Sequence, residues 1–586
     1  MLDSTPVPFD ITKETMETED GALVVKVIKD NKPVVGSITV TKTGEVLVGY
    51  NAAREVDNKN HFVYEVRKLK NAEFKVVADE DIYTPDHAID ENGNRIVIYA
   101  KDTVIATITT EETGTAKLEN LPLGKYRVIE VKAPDTMILN EKPMYAELVY
   151  EGQNKALVSK SVSLLNERQK VVIEAVKMDS DTKKLLAGTT FGLYAAEDIL
   201  DYDGKIIIKK DQCFEKAVTD KDGKAIFNSD LPLYNFYVKE LDPSVGYGTK
   251  NEVQYVDATY KGQTVKLQTY TKEFYNDHTE IIGTTATDNF TTEHIGAARY
   301  DAILIDTVEF KNLCIGKEYK VVGILMDKAT GKALLDKNGK EITAEKTFVA
   351  EEEDGSVEVV FKFDATGMQG ITTVVFEDLY QNGVKISTHA DIEDEGQTIY
   401  FPEVKTTIKS TATNNHTGLA SIKETLIDTV SYKNLVIGKE YSVEGHLVVK
   451  STGEPLLDKD GNMITAGKKF TAEKTSGTID IVFEFDASLL KGETIVAFET
   501  LKYYSIEIAT HADIEDEEQS IYYPEMKTSA SVEGKKIASR SDCLKVVDKV
   551  TYKNLIIGQK YVIKGVLMDK NTGKELLDAN GNMVTA

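Results

Sequence analysis

Apolar and polar residues alternate with a period of two over much of the chain. Val357, Val359, Phe361 and Phe363 carry Glu358 and Lys362 between them, and Ile479, Ile481, Phe483 and Phe485 repeat the pattern 122 residues later (479 − 357 = 122). Such alternation predicts strands with one buried face. Turn dipeptides recur at short intervals: Asn92-Gly93, Asp203-Gly204, Asp222-Gly223, Asn338-Gly339, Asn382-Gly383, Asp460-Gly461 and Asn580-Gly581. These supply the positive φ angles of tight hairpins. Sustained helical periodicity is scarce. The pattern predicts an all-β chain of tandem antiparallel β-sandwiches.

One segment is written three times, beginning IDTVEFKNLCIGKEY at Ile305, IDTVSYKNLVIGKEY at Ile427 and VDKVTYKNLIIGQKY at Val547. A spacing of 122 residues (427 − 305) is too long for a solenoid unit and predicts self-contained domains in series. Motif restarts place boundaries at 1–35 (the tail of a preceding domain and a linker), 36–169, 170–282, 283–404, 405–525 and a truncated repeat at 526–586. Pro402 and Pro524 stiffen equivalent junctions. The third copy breaks off at Ala586, level with Ala344 and Ala466, so the chain is expected to be a piece of a longer protein.

A chain of 586 residues needs several cores. Its formal charge of −26, from 70 basic and 96 acidic residues, argues against nucleic acid or an anionic membrane as partner. No apolar run is long enough to span a bilayer. Cys213, Cys314 and Cys543 are far apart and odd in number, so they form neither a disulfide framework nor a metal site. No Asp-x-Asp-x-Asp-Gly loop with a closing glutamate suggests calcium, and no metal or cofactor is expected.

Two sets of residues recur in order. The sandwiches at 36–169 and 170–282 each carry an early lysine (Lys42 in ITVTKTGE, Lys177 in IEAVKMDS). A glutamate follows a Leu-Pro-Leu turn (Glu130 in LPLGKYRVIEVKAPD, Glu240 in LPLYNFYVKELDP), and an asparagine comes late (Asn166 in VSLLNERQ, Asn276 in EFYNDH). Over about 36–282 the sequence resembles the Cna B-type, SpaA-like pilin domains of Gram-positive surface proteins. The resemblance implies prealbumin-like or immunoglobulin-like sandwiches. It also implies isopeptide bonds joining Lys42 to Asn166 and Lys177 to Asn276, promoted by Glu130 and Glu240. The chemistry is reasonable, because burial favours a neutral amine as nucleophile and a neutral carboxyl as donor.

The repeats carry a different set. Thr307, Glu377, His389, Asp394 and Gln397 in the first copy match Thr429, Glu499, His511, Asp516 and Gln519 in the second. IVAFET, with VVFED as its variant, is similar to the repeat family named after its Val-Ala-Phe-Glu motif, the ester-bonded domains of Gram-positive adhesins. That resemblance implies a threonine hydroxyl attacking a glutamine amide, with Thr307–Gln397 and Thr429–Gln519 as the expected bonds. Threonine needs a base held by an acid, which His389–Asp394 and His511–Asp516 would supply, with Glu377 and Glu499 as further buried acids. In the third copy Lys549 stands at the threonine position, with Thr551 two residues on as a substitute.

Together these features point to a structural stalk or adhesin of the Gram-positive cell surface, anchored to peptidoglycan by other segments and closed by self-formed crosslinks. It is not expected to be an enzyme with turnover. A second reading is a module gripping a host extracellular-matrix protein, cell-surface ligand or glycan through loops, with the insertion near Asp81–Ala100 as the surface. A hydrolase using the Thr/His/Asp set is disfavoured, because a glutamine in cis would consume the nucleophile.

Overall fold

The computed structural model describes residues 4–51 and 61–586 and divides into two compact units, Met1–His278 and Thr279–Ala586. Among the described residues no helix is long and apolar enough to cross a membrane. Cys213 is half-buried, Cys314 buried and Cys543 exposed.

The first unit holds two sandwiches with a shared topology. In the first, strand Val35–Asn51 runs parallel to Leu157–Asn166 and antiparallel to Thr115–Leu121 and His61–Lys68. The facing sheet is ordered Met144–Leu148, Gly124–Lys132, Glu73–Ala78, Val104–Thr109. Ile38, Val40, Phe74, Val76, Tyr126 and Val128 fill the space between. In the second, Lys170–Asp179 runs parallel to Leu267–Asn276. Parallel neighbours need a long crossover, and here the whole domain is that crossover. The first and last strands of each domain therefore lie side by side.

The second unit repeats one plan. In the first copy Glu280–Asp288, Ala302–Lys311 and Gly355–Phe363 form one sheet. Glu318–Asp327, Thr372–Gln381 and Val384–His389 form the centre of the other. Glu403–Ser410, Glu424–Lys433 and Gly477–Phe485 rebuild the first sheet in the second copy. In the third, Glu525–Ser531 pairs with Val547–Lys553. Of the turn dipeptides, Asn382-Gly383 has positive φ at both residues (50° and 76°), as a type I′ hairpin requires.

Candidate crosslinking sites

Strand register brings both lysine sets together. Leu164 pairs with Lys42 and Asn166 with Gly44 on the adjacent parallel strand, while Glu130 arrives from the facing sheet. All three polar side chains are sealed from solvent. Lys42 Nζ contacts Asn166 Oδ1 and lies 3.2 Å from Glu130 Oε1. Asn166 Nδ2 donates to both Glu130 oxygens, at 3.0 and 2.9 Å. Burial pulls the Lys42 ammonium down to about 8, against the opposing pull of the Glu130 charge. A proton passed from Lys42 to Glu130 would leave a neutral amine beside the amide and a neutral acid able to donate to it.

The second sandwich builds the same cluster despite its divergent LPLYNFYVKELDP run. Glu240 bridges Lys177 Nζ and Asn276 Nδ2, each at 2.6 Å. Asn276 Oδ1 is buried without a hydrogen bond. Burial also lowers the Lys177 ammonium.

In the second repeat Gln519 is completely buried. Its Nε2 donates to Thr406 Oγ1 at 3.0 Å and to Glu499 Oε2 at 2.6 Å, and the Thr406 hydroxyl donates to Glu499 at 3.1 Å. Glu499 pairs across the sheet with His511. His511 Nε2 stands 3.2 Å from Asp516 Oδ2, and its Nδ1 is buried without a partner. In the first repeat Glu377 pairs with His389, whose Nε2 lies 2.8 Å from Asp394 Oδ2. Asp394 also caps the short 3-10 turn Glu395–Gln397 by accepting from Gly396 N at 2.7 Å. One carboxylate thus orients the imidazole and fixes the glutamine turn. Gln397 Nε2 donates to Asp306 Oδ1 at 3.0 Å. Thr284 presents a buried, unpartnered hydroxyl at the position equivalent to Thr406 (406 − 284 = 122). The turn lies directly against it, since a Cβ at Gly396 would come within 3.2 Å of the Thr284 carbonyl.

Thr307 and Thr429 do not reach these sites. On Ala302–Lys311 the inward residues are Ala302, Leu304, Asp306, Val308 and Phe310, so Thr307 lies on the outer face. Thr429 likewise points outward and donates to Asp480 on the neighbouring strand at 2.8 Å. The buried members of the Asp-Thr pairs are Asp306 and Asp428. Parity could have revealed this, because Thr307 is out of step with Leu304, Val308 and Phe310. Lys549 is the outward counterpart of Thr429, so it breaks no pattern. The third copy keeps Thr528 opposite Val550 and Asp548 opposite Ala530, the register of Thr406 with Val430 and Asp428 with Ile408.

The missed aspartates form acid pairs with the predicted glutamates. Burial, then the Asp306 charge, pushes Glu377 up to about 11, and burial raises Asp306. Glu499 is pushed up to about 10 by burial and Asp428, and burial carries Asp428 to about 6. In each pair the glutamate is the member raised well above neutral pH. A raised acid binds its proton more tightly folded than unfolded. Its stabilisation is complete below about pH 4.5 and fades as pH rises towards the folded value. Protein carrying Thr284→Ala and Thr406→Ala should therefore unfold more easily at pH 9 than at pH 6, as read by denaturant midpoints. Adding Glu377→Gln and Glu499→Gln should flatten that slope.

Residues 280–401, 402–523 and 524–586 match the model of the T-Q ester bond containing domain, and 63–161 and 171–273 match the SpaA prealbumin-like fold domain. The chain belongs to the T-Q ester bond containing domain family. Its make-up, with SpaA-type domains ahead of the repeats, is that of a pilin- or adhesin-like surface protein. A comparison with curated proteins returns no match. Among solved structures it is similar to the Bacillus anthracis TIE protein (18% identity, TM-score 0.28), covering 62% of this chain and 49% of that one. It is also similar to a Mobiluncus mulieris adhesin containing intramolecular disulfide, isopeptide and ester crosslinks (15%, TM-score 0.19, 47% and 98%). A third is a streptococcal ancillary pilin (16%, TM-score 0.19, 62% and 96%). The chain thus spans about half of the TIE protein.

Proposed function

We propose that this chain is a load-bearing stalk segment whose domains close themselves with four covalent bonds. Lys42–Asn166 and Lys177–Asn276 form isopeptides, and Thr284–Gln397 and Thr406–Gln519 form esters. In each ester site the threonine Oγ attacks the glutamine Cδ, the histidine takes the hydroxyl proton, and ammonia leaves with a returned proton. The nucleophile is consumed, so each site acts once. The observation that supports this most directly is the buried contact of Gln519 with Thr406 and Glu499. The third copy carries the nucleophile and acid of the same site in Thr528 and Asp548. The same reading places the chain outside a Gram-positive cell, linked to wall peptidoglycan, within reach of host matrix.

Intact mass tests the chemistry. The purified protein should weigh four ammonia molecules less than its sequence, and hydroxylamine should open the two esters while sparing the two amides. An unshifted mass would overturn the reading. The loop-binding alternative has its surface in the hairpin of Ile82–Tyr83 with Val97–Tyr99, where Ile89, Val97 and Ile98 are exposed.

A further inference from the structure

The catalytic histidine of the second repeat sits on a strand that the first repeat holds. Strand Ile506–His511 lies at the edge of its sheet, with Thr494–Tyr503 as its neighbour there. An edge strand leaves backbone groups unpaired and free to shift. Here the first repeat takes them up: Ala298 N donates to the Ile508 carbonyl and Gln369 Nε2 to the Thr510 carbonyl, both at 3.3 Å. Beneath these bonds Ile295 and Ala297 of the first repeat pack into one apolar cluster with Ile508 and Ala509. Beside them Glu293 pairs with Lys439 Nζ at 2.5 Å and accepts from the Tyr503 hydroxyl at 3.4 Å. The repeats thus touch through specific side chains as well as being joined in series.

We infer that the first repeat is a positioning element for the ester site of the second, with Gln369 as the residue that fixes the carbonyl immediately before His511. This rests on the ester reading. The Thr510 carbonyl belongs to the peptide that joins Thr510 to His511, so anchoring it fixes where the imidazole starts from. The site has little slack, because His511 must meet Asp516 on one side and the Thr406–Gln519 pair on the other. The side-chain amide of Gln369 donates across to the second repeat, and among the described residues it has no hydrogen bond to Thr284 or Gln397, so its effect falls on the neighbouring domain. The chain offers another donor at the matching place, Lys491, in the second repeat (491 − 369 = 122). Crosslinking of successive repeats would then run in order along the chain, each folded repeat preparing the next.

The test uses the full chain made by cell-free synthesis, with samples quenched over time and digested. Peptides linking Thr284–Gln397 and Thr406–Gln519 are counted separately. Gln369→Glu keeps the size of the side chain but removes its donor. It should slow the Thr406–Gln519 bond by about three- to tenfold, the range that loss of one neutral hydrogen bond spans, and leave Thr284–Gln397 unchanged. Gln369→Lys restores a donor and should recover the rate. Wild-type kinetics in Gln369→Glu, or equal slowing of both bonds, would overturn the inference. Amide exchange over Ile506–His511 gives a readout that needs no ester. In a Thr406→Ala background it should rise with Gln369→Glu, and unchanged exchange would overturn the docking itself. A wild-type chain lacking the Thr406–Gln519 peptide would instead overturn the ester reading.

Discussion

Thr406→Ala should leave the second repeat without its crosslink, whereas Thr429→Ala should leave the bond intact. The two threonines sit on adjacent antiparallel strands but on opposite faces. Thr406 donates to Glu499 and accepts from Gln519, while Thr429 is turned out towards Asp480. Removing the Thr406 hydroxyl deletes the proposed nucleophile, which is hydrogen-bonded to the Gln519 amide, so ammonia should stay on the chain. The lost bond closes a loop of 113 residues. By analogy with a disulfide of that span, its absence should cost about 4–5 kcal/mol of stability. Thr406→Ser keeps the hydroxyl and should still close. A Thr406→Ala protein that yields a linked peptide at Gln519, or a Thr429→Ala protein that lacks one, would defeat the assignment. The same pair of tests applies to Thr284 and Thr307.

Glu130→Ala should be the most damaging single change in the first sandwich, worse than losing the bond alone. Lys42 is fully buried, and Glu130 is the carboxylate beside it. Without that partner the amine loses its proton acceptor, the amide loses its donor, and any charge left on Lys42 is uncompensated. Breaking one side of a buried pair costs about 3–5 kcal/mol in addition to the missing crosslink. Lys42→Met removes the nucleophile and the ammonium while keeping much of the volume, and the Glu130 left behind still accepts from Asn140 N and Asn166 Nδ2. It should abolish the Lys42–Asn166 bond with a smaller drop in unfolding midpoint. If both variants unfold at the same denaturant concentration, the pair carries no charge worth compensating. If either still loses ammonia at Asn166, the triad is wrong.

The all-β fold was legible because period-two alternation and Gly-bearing turns are local signals, and they recur with every repeat. The lysine triads were legible for a different reason: three common residues reappear in the same order with the same flanking strands. The structure brings Lys42, Glu130 and Asn166 together, and likewise Lys177, Glu240 and Asn276. His389 with Asp394 and His511 with Asp516 could be read because base and orienter are separated by five residues. Thr307 and Thr429 face away from the glutamines, and the proposed nucleophiles lie one strand over, since an Asp-Thr pair offers two polar residues and only strand parity says which faces inward. Asp306 and Asp428 were passed over for the same reason. The contact of Gln369 with the Thr510 carbonyl spans 141 residues and two domains, and no local pattern encodes it.

The side-by-side first and last strands have a consequence for length. With four bonds closed, a pull travelling along the chain enters the first sandwich, crosses from Lys42 to Asn166, and never reaches the 123 positions folded between them (166 − 42 − 1). It then passes through 10 residues to Lys177 (177 − 166 − 1), 7 between Asn276 and Thr284 (284 − 276 − 1), and 8 between Gln397 and Thr406 (406 − 397 − 1). The first sandwich alone withholds about 400 Å of contour that an unbonded chain would pay out on unravelling. Stretched between Lys42 and Gln519, the molecule is a short tether carrying four inextensible rings. Its extension under force would be limited by the four bonds and the short linkers even after every hydrogen bond had given way.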